Sequence, residues 1–125
     1  MSSSSRDRIA KILMLVASAA ALYALATGVG LALGSGPDTQ QVQWWRVLGY
    51  AFFAGVFALL AFRPRSYPGL WELAIVDKAA LTLVEALLTR NGAADAAATA
   101  AADGSLTVIL IAAYLLSRGY SSWTH

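Results

Sequence analysis

The stretch Leu70-Trp71-Glu72-Leu73-Ala74-Ile75-Val76-Asp77-Lys78-Ala79-Ala80-Leu81-Thr82-Leu83-Val84-Glu85-Ala86-Leu87-Leu88-Thr89 has the length of a membrane-crossing helix but carries Glu72, Asp77, Lys78 and Glu85. Asp77 and Lys78 stand near its middle, where each charge costs roughly 2.5–3.5 kcal/mol of insertion free energy, about 5–7 kcal/mol together. Its nine Leu, Ile and Val residues return roughly 0.3–0.6 kcal/mol each, about 3–5 kcal/mol in all. The balance is unfavourable before Glu85 is counted. Such a segment either lies along the membrane surface or spans the bilayer with its charges turned toward neighbouring helices.

Helical phase favours the second arrangement. At about 100° per residue, Thr82, Glu85 and Thr89 fall within about 40° of Lys78, whereas Glu72 and Asp77 lie roughly 100° or more away. An interfacial helix usually presents a broad, Lys/Arg-rich polar face. Here the stripe is narrow and net acidic, and an anionic leaflet would repel it.

The rest of the chain agrees with a membrane setting. Of its 125 residues 58% are hydrophobic and 13% charged, against about 25% charged in an ordinary soluble domain. That composition excludes a disordered chain. The net charge of +2 is small and scattered, which argues against nucleic acid as a partner. Cysteine is absent and the single histidine is His125, so no thiolate, haem, zinc or histidine-based triad site is expected. Gly28-Val29-Gly30 lacks the strand–turn–helix setting of a nucleotide loop, and no carboxylate cluster suggests a metal. No cofactor is expected.

Working outward, three further apolar segments emerge. Ile12 to Leu33 is free of charge and makes roughly 33 Å of helix, enough to cross the hydrocarbon core. Ala17-Ser18-Ala19 and Ala24-Leu25-Ala26 look like signal-peptide cleavage sites, but the apolar run continues past both. Gly34-Ser35-Gly36-Pro37-Asp38 marks a turn. A second segment runs from about Trp44 to Phe62, before Pro64 and Pro68. After Asn91-Gly92 and the alanine-rich stretch from Ala93 to Ala102, which reads as either helix or loose loop, Asp103 is a plausible N-cap for a fourth. The expected fold is all-α: one integral membrane domain over residues 1–125, with helices at about 9–33, 44–62, 70–90 and 104–120. These form an up-down four-transmembrane-helix bundle behind a polar, mobile start at Met1–Arg8.

Basic residues set the orientation. Arg6, Arg8 and Lys11 precede the first segment, Arg63 and Arg65 lie between the second and third, and Arg118 follows the fourth, whereas the third loop carries Asp95 and Asp103. The positive-inside bias puts both termini in the cytoplasm, with Trp44-Trp45 at the outer interface and Tyr67 and Trp71 at the inner one. The aromatic residues read as interface anchors rather than a cofactor cage.

Depth along the helices suggests partners for the charges. Glu72 sits at the cytoplasmic rim near Arg63 and Arg65. Glu85 lies toward the outer face, level with Arg46, and the two are expected to pair. Asp77 and Lys78 are placed level with Tyr23 and Tyr114, whose hydroxyls suit a buried charge. Intramembrane ionisable residues are functional candidates by default; the plainer alternative is that these charges tie the bundle together. Ala20, Ala24 and Gly28, and Ala51 and Gly55, have the small-xxx-small spacing that permits close helix approach, within one chain or between copies.

From Arg46-Val47-Leu48-Gly49 through Gly55 to Leu59-Leu60-Ala61-Phe62-Arg63-Pro64 the chain resembles the small bacterial DoxX-like four-helix membrane proteins, over about its central third. The resemblance implies a four-helix bundle in a bacterial membrane and, in some members, association with membrane oxidoreductases; it supplies no catalytic residues. The expected function is that of a non-catalytic subunit for a membrane partner, a homo-oligomer, or a binder of a lipophilic molecule. In a binding site Asp77 and Lys78 would orient a polar group, Thr82 and Tyr114 would hydrogen-bond it, and Glu85–Arg46 would close the outer side. The alternative is a small membrane enzyme or transporter with Asp77 or Glu85 as proton acceptor.

Overall fold

The computed structural model describes residues 2–92 and 96–124. Among them the chain forms four α-helices, α1 (Ser3–Gly34), α2 (Pro37–Phe62), α3 (Leu70–Arg90) and α4 (Ala96–Ser117), followed by a short 3-10 helix over Gly119–Thr124. No strand occurs among the described residues. Asp95, His125 and the start of the alanine-rich stretch at Ala93 lie outside them.

Local chemistry sets three helix starts earlier than the apolar runs do. The hydroxyl of Ser2 accepts from the Ser5 amide at 3.2 Å and caps α1, so the polar start Ser3–Arg8, expected to be mobile, is helical. Pro37 stands in the first turn of α2, where its missing N–H costs nothing and its fixed φ favours helix. The helix therefore begins well before Trp44. In α4 the alanines carry the helix back to Ala96, since alanine has the highest helix propensity. Asp103 is consequently not an N-cap but a buried residue in the interior of α4. Helix α3 starts from a residue with a special backbone: Gly69 has φ +90°, with the Trp123 ring against it.

Helix α1 packs along α2 and also along α4, α4 packs along α3, and α2 barely touches α3. The core between them contains Met14, Ala17, Phe57, Leu60, Trp71 and Leu110. Across α1 and α2 the buried Ser18 hydroxyl donates to the Ala54 carbonyl at 2.9 Å. The small-residue stripe does not form as spaced: Gly28 packs against Val47 and Tyr50, but Ala20, Ala51 and Gly55 are exposed. A strict every-fourth spacing drifts about 40° per step around a helix. The buried line of α1 follows mixed steps instead, through Ala10, Met14, Ala17, Ala21, Gly28 and Ala32.

One end of the molecule is tied by Arg65. Its guanidinium forms a two-pronged pair with Asp7, 3.1 Å on each side, and donates to the Ser117 carbonyl at 2.7 Å. The start of α1, the connection after α2 and the end of α4 therefore meet. Lys11, over the Phe62 ring at 4.8 Å, belongs to the same end.

Helices α1, α2 and α4 are each long and apolar enough to cross a membrane. Helix α3 is long enough as well, at 21 residues, but its charges set it apart.

Candidate functional site

Past its first turn, helix α3 buries a lysine and exposes apolar side chains. Lys78 is 7% exposed, whereas Leu73, Val76 and Leu83 are 70%, 64% and 63% exposed. Its polar stripe faces α4: Lys78 Nζ is 3.5 Å from Asp103 Oδ1, and the Thr82 methyl group lies over Gly104. The ammonium also sits 4.2 Å from the centre of the Phe53 ring. One buried cation thus joins three helices, through an ion pair to α4 and a cation–π contact to α2.

The other residues singled out in the sequence are distributed differently from the depth match. Thr82 donates to the Lys78 carbonyl at 2.7 Å within its own helix. Glu85 is half-buried facing Asp103 and Lys78, and its Oε2 is buried with no hydrogen-bond partner among the described residues. Arg46 does not pair with Glu85: it is exposed and donates to the Tyr50 hydroxyl, one turn on, at 3.3 Å. Tyr23 is 73% exposed and turned away from the polar stripe. Tyr114 donates to Glu72 at 2.6 Å rather than to Asp77 or Lys78. The reason lies in the true extent of α4, which starts at Ala96 and ends at Ser117. Tyr114 is then in the last turn, beside the first turn of α3, and Asp103 takes the depth opposite Lys78.

Two residues that the sequence reading treated as peripheral are central here. Glu72 receives both the Tyr114 hydroxyl and the Trp123 indole N–H, the latter at 3.3 Å. Trp71 is no interfacial anchor: it is 1% exposed, and its indole N–H donates to the Pro64 carbonyl at 2.8 Å. A Cβ added to Gly119 would overlap that indole ring. A helix-start aromatic followed by an acid gives no sign of either role, because each depends on distant segments: Pro64 and Gly119 for Trp71, Tyr114 and Trp123 for Glu72.

Asp77 stands apart. It is exposed on α3 and has no hydrogen bond or ion pair among the described residues. It lines a groove of about 520 Å³ between α2 and α3, with Phe52, Phe53, Val56, Leu73 and Val76 among the other walls. The groove exists because α2 and α3 barely touch. Its size falls within the range of small-molecule sites, which are mostly apolar with few polar groups. No group of three or more acids or histidines among the described residues is arranged to hold a metal ion. Comparison of the chain with protein-family models, curated proteins and solved structures gives no match.

Proposed function

We propose that the protein is a multi-pass protein of the bacterial inner membrane, a four-helix bundle with α3 as its fourth span and both termini in the cytoplasm. It acts without catalysis, by binding a small lipophilic molecule in the groove between α2 and α3. The buried Lys78 and the exposed Leu73, Val76 and Leu83 of α3 carry this reading. In water its exposed leucines and valines would form a large unprotected apolar face. In lipid that face is matched apart from Asp77, and Lys78 is shielded by its pairing with Asp103 of α4. The basic end tied by Arg65 gathers Arg6, Lys11 and Arg118, as the positive-inside bias requires of a cytoplasmic side. The resemblance of the Arg46–Pro64 stretch to DoxX-like proteins points the same way.

Single cysteines introduced into this cysteine-free chain test the topology. In intact spheroplasts Asn91→Cys is expected to react with a membrane-impermeant maleimide, and Ser66→Cys only after permeabilisation. If both positions react from the same side, α3 lies on the surface and the four-span reading fails.

A second reading, a transporter or membrane enzyme with a carboxyl as proton acceptor, is favoured by the Glu85–Asp103–Lys78 group. Two acids stand beside Lys78 there, and Arg46 is the other cation whose charge reaches Glu85. In proteoliposomes under an imposed pH gradient, this reading expects proton flux that Glu85→Gln abolishes without unfolding the protein. Absence of flux in the unaltered protein removes it.

A further inference from the structure

Asp77 poses a problem of charge. An ionisable side chain inside the membrane normally has a partner, yet this one has none among the described residues, and apolar walls surround it. It lies roughly 10 Å along α3 from the basic end, too deep for an interfacial position. The cation next to it in sequence, Lys78, is committed to Asp103 and Phe53. Arg46 stands about 24 Å from that end along α2, and Lys11 is engaged over the Phe62 ring. Among the described residues no cation pairs with Asp77, so the groove offers an unmatched negative charge between apolar walls.

We propose that the groove takes a lipophilic organic cation, its charge against Asp77 and its apolar body against Phe52, Phe53 and Val76. This deepens the ligand-binding reading above and rests on it. The chemistry fits each wall. A carboxylate in surroundings of low polarity attracts a cation far more strongly than in water. The Phe52 ring offers a negative face to the same charge, and the splay of α2 from α3 opens the site sideways, so a lipid-soluble molecule reaches it from the bilayer. A zwitterionic lipid is disfavoured, because its phosphate travels with its amine and Asp77 repels it.

Tetraphenylphosphonium and tetraphenylborate, alike in shape and opposite in charge, test this by equilibrium dialysis with the full chain in non-ionic maltoside micelles. The phosphonium is expected to bind and the borate not. Asp77→Asn weakens phosphonium binding by about tenfold or more, and Asp77→Glu largely preserves it. Asp77 makes no contact that the fold needs, so an unchanged melting temperature in Asp77→Asn certifies the comparison. Ala80→Trp, at an exposed groove position, blocks binding by volume alone. If both ions bind equally and only Ala80→Trp stops them, the preference for a cation is wrong and the ligand-binding reading stands. If neither ion binds, or neither substitution matters, both fail. A disulfide between copies carrying Val76→Cys, formed in the unliganded membrane, would show the groove filled by a second chain and overturn the proposal.

Discussion

Replacing Lys78 by methionine is expected to destabilise the folded protein by about 3–5 kcal/mol. The substitution keeps most of the stem volume, so the packing against Phe53 survives and no large cavity opens. What is lost is the ammonium, and with it the only cation paired with Asp103 among the described residues. A carboxylate left buried without a partner is the expensive outcome; the pair itself adds little over apolar residues of the same size. The double variant Lys78→Met with Asp103→Leu should therefore regain most of the stability, measured by reversible unfolding in mixed sodium dodecyl sulfate and maltoside micelles. Polar contacts between membrane helices average only about 0.6 kcal/mol by double-mutant cycles, because the unfolded helices also find partners in the membrane. A loss of that size for Lys78→Met would mean that Asp103 finds water or another donor, and the buried pair would not be what holds α3 to α4.

The second large effect concerns Trp71. Truncation to alanine is expected to cost about 3–5 kcal/mol, as for other large aromatic residues removed from a packed core. The indole is enclosed, bonded to the Pro64 carbonyl at 2.8 Å, and tilted against Tyr114 with ring centres 5.9 Å apart. Gly119 is without a side chain for the same reason: a methyl group there would meet the ring. Gly119→Ala should cost about 1–3 kcal/mol in the natural background, as overpacking does, and close to nothing once Trp71 is alanine. That coupling is the signature of direct contact. Equal costs for Gly119→Ala in both backgrounds would show that the 3-10 helix needs glycine for some other reason.

Much of the helical content was legible because apolar runs longer than a bilayer leave few alternatives, and α3 matches its expected span of residues 70–90. The starts of the other helices were not, since capping by Ser2 and Pro37 and the propensity of alanine act outside the apolar runs. That boundary error propagated into the site. Placing the start of α4 near residue 104 made Asp103 a cap and Tyr114 a mid-helix residue, so partners were assigned at the wrong depths. The polar stripe Lys78–Thr82–Glu85 was visible as a phase relation, because phase within one helix needs no knowledge of its neighbours. Its partner was not, because which residue stands opposite depends on the register between two helices. Asp77 was correctly seen to lie off that stripe. That it would open onto a groove depended on α2 and α3 splaying apart, which no local pattern encodes.

The Arg65 clasp also constrains the order of events during synthesis. It joins Asp7 to the carbonyl of Ser117, so its last component is made only when α4 has left the ribosome. The first hairpin, α1 with α2, has its own buried bond from Ser18 to Ala54 and is able to dock long before that. In chain order both partners of the Ser18–Ala54 and Asp7–Arg65 contacts precede α3, whereas Ser117 comes at the end of α4. Of the three, the bond to Ser117 is the one that cannot form until nearly the whole described chain exists.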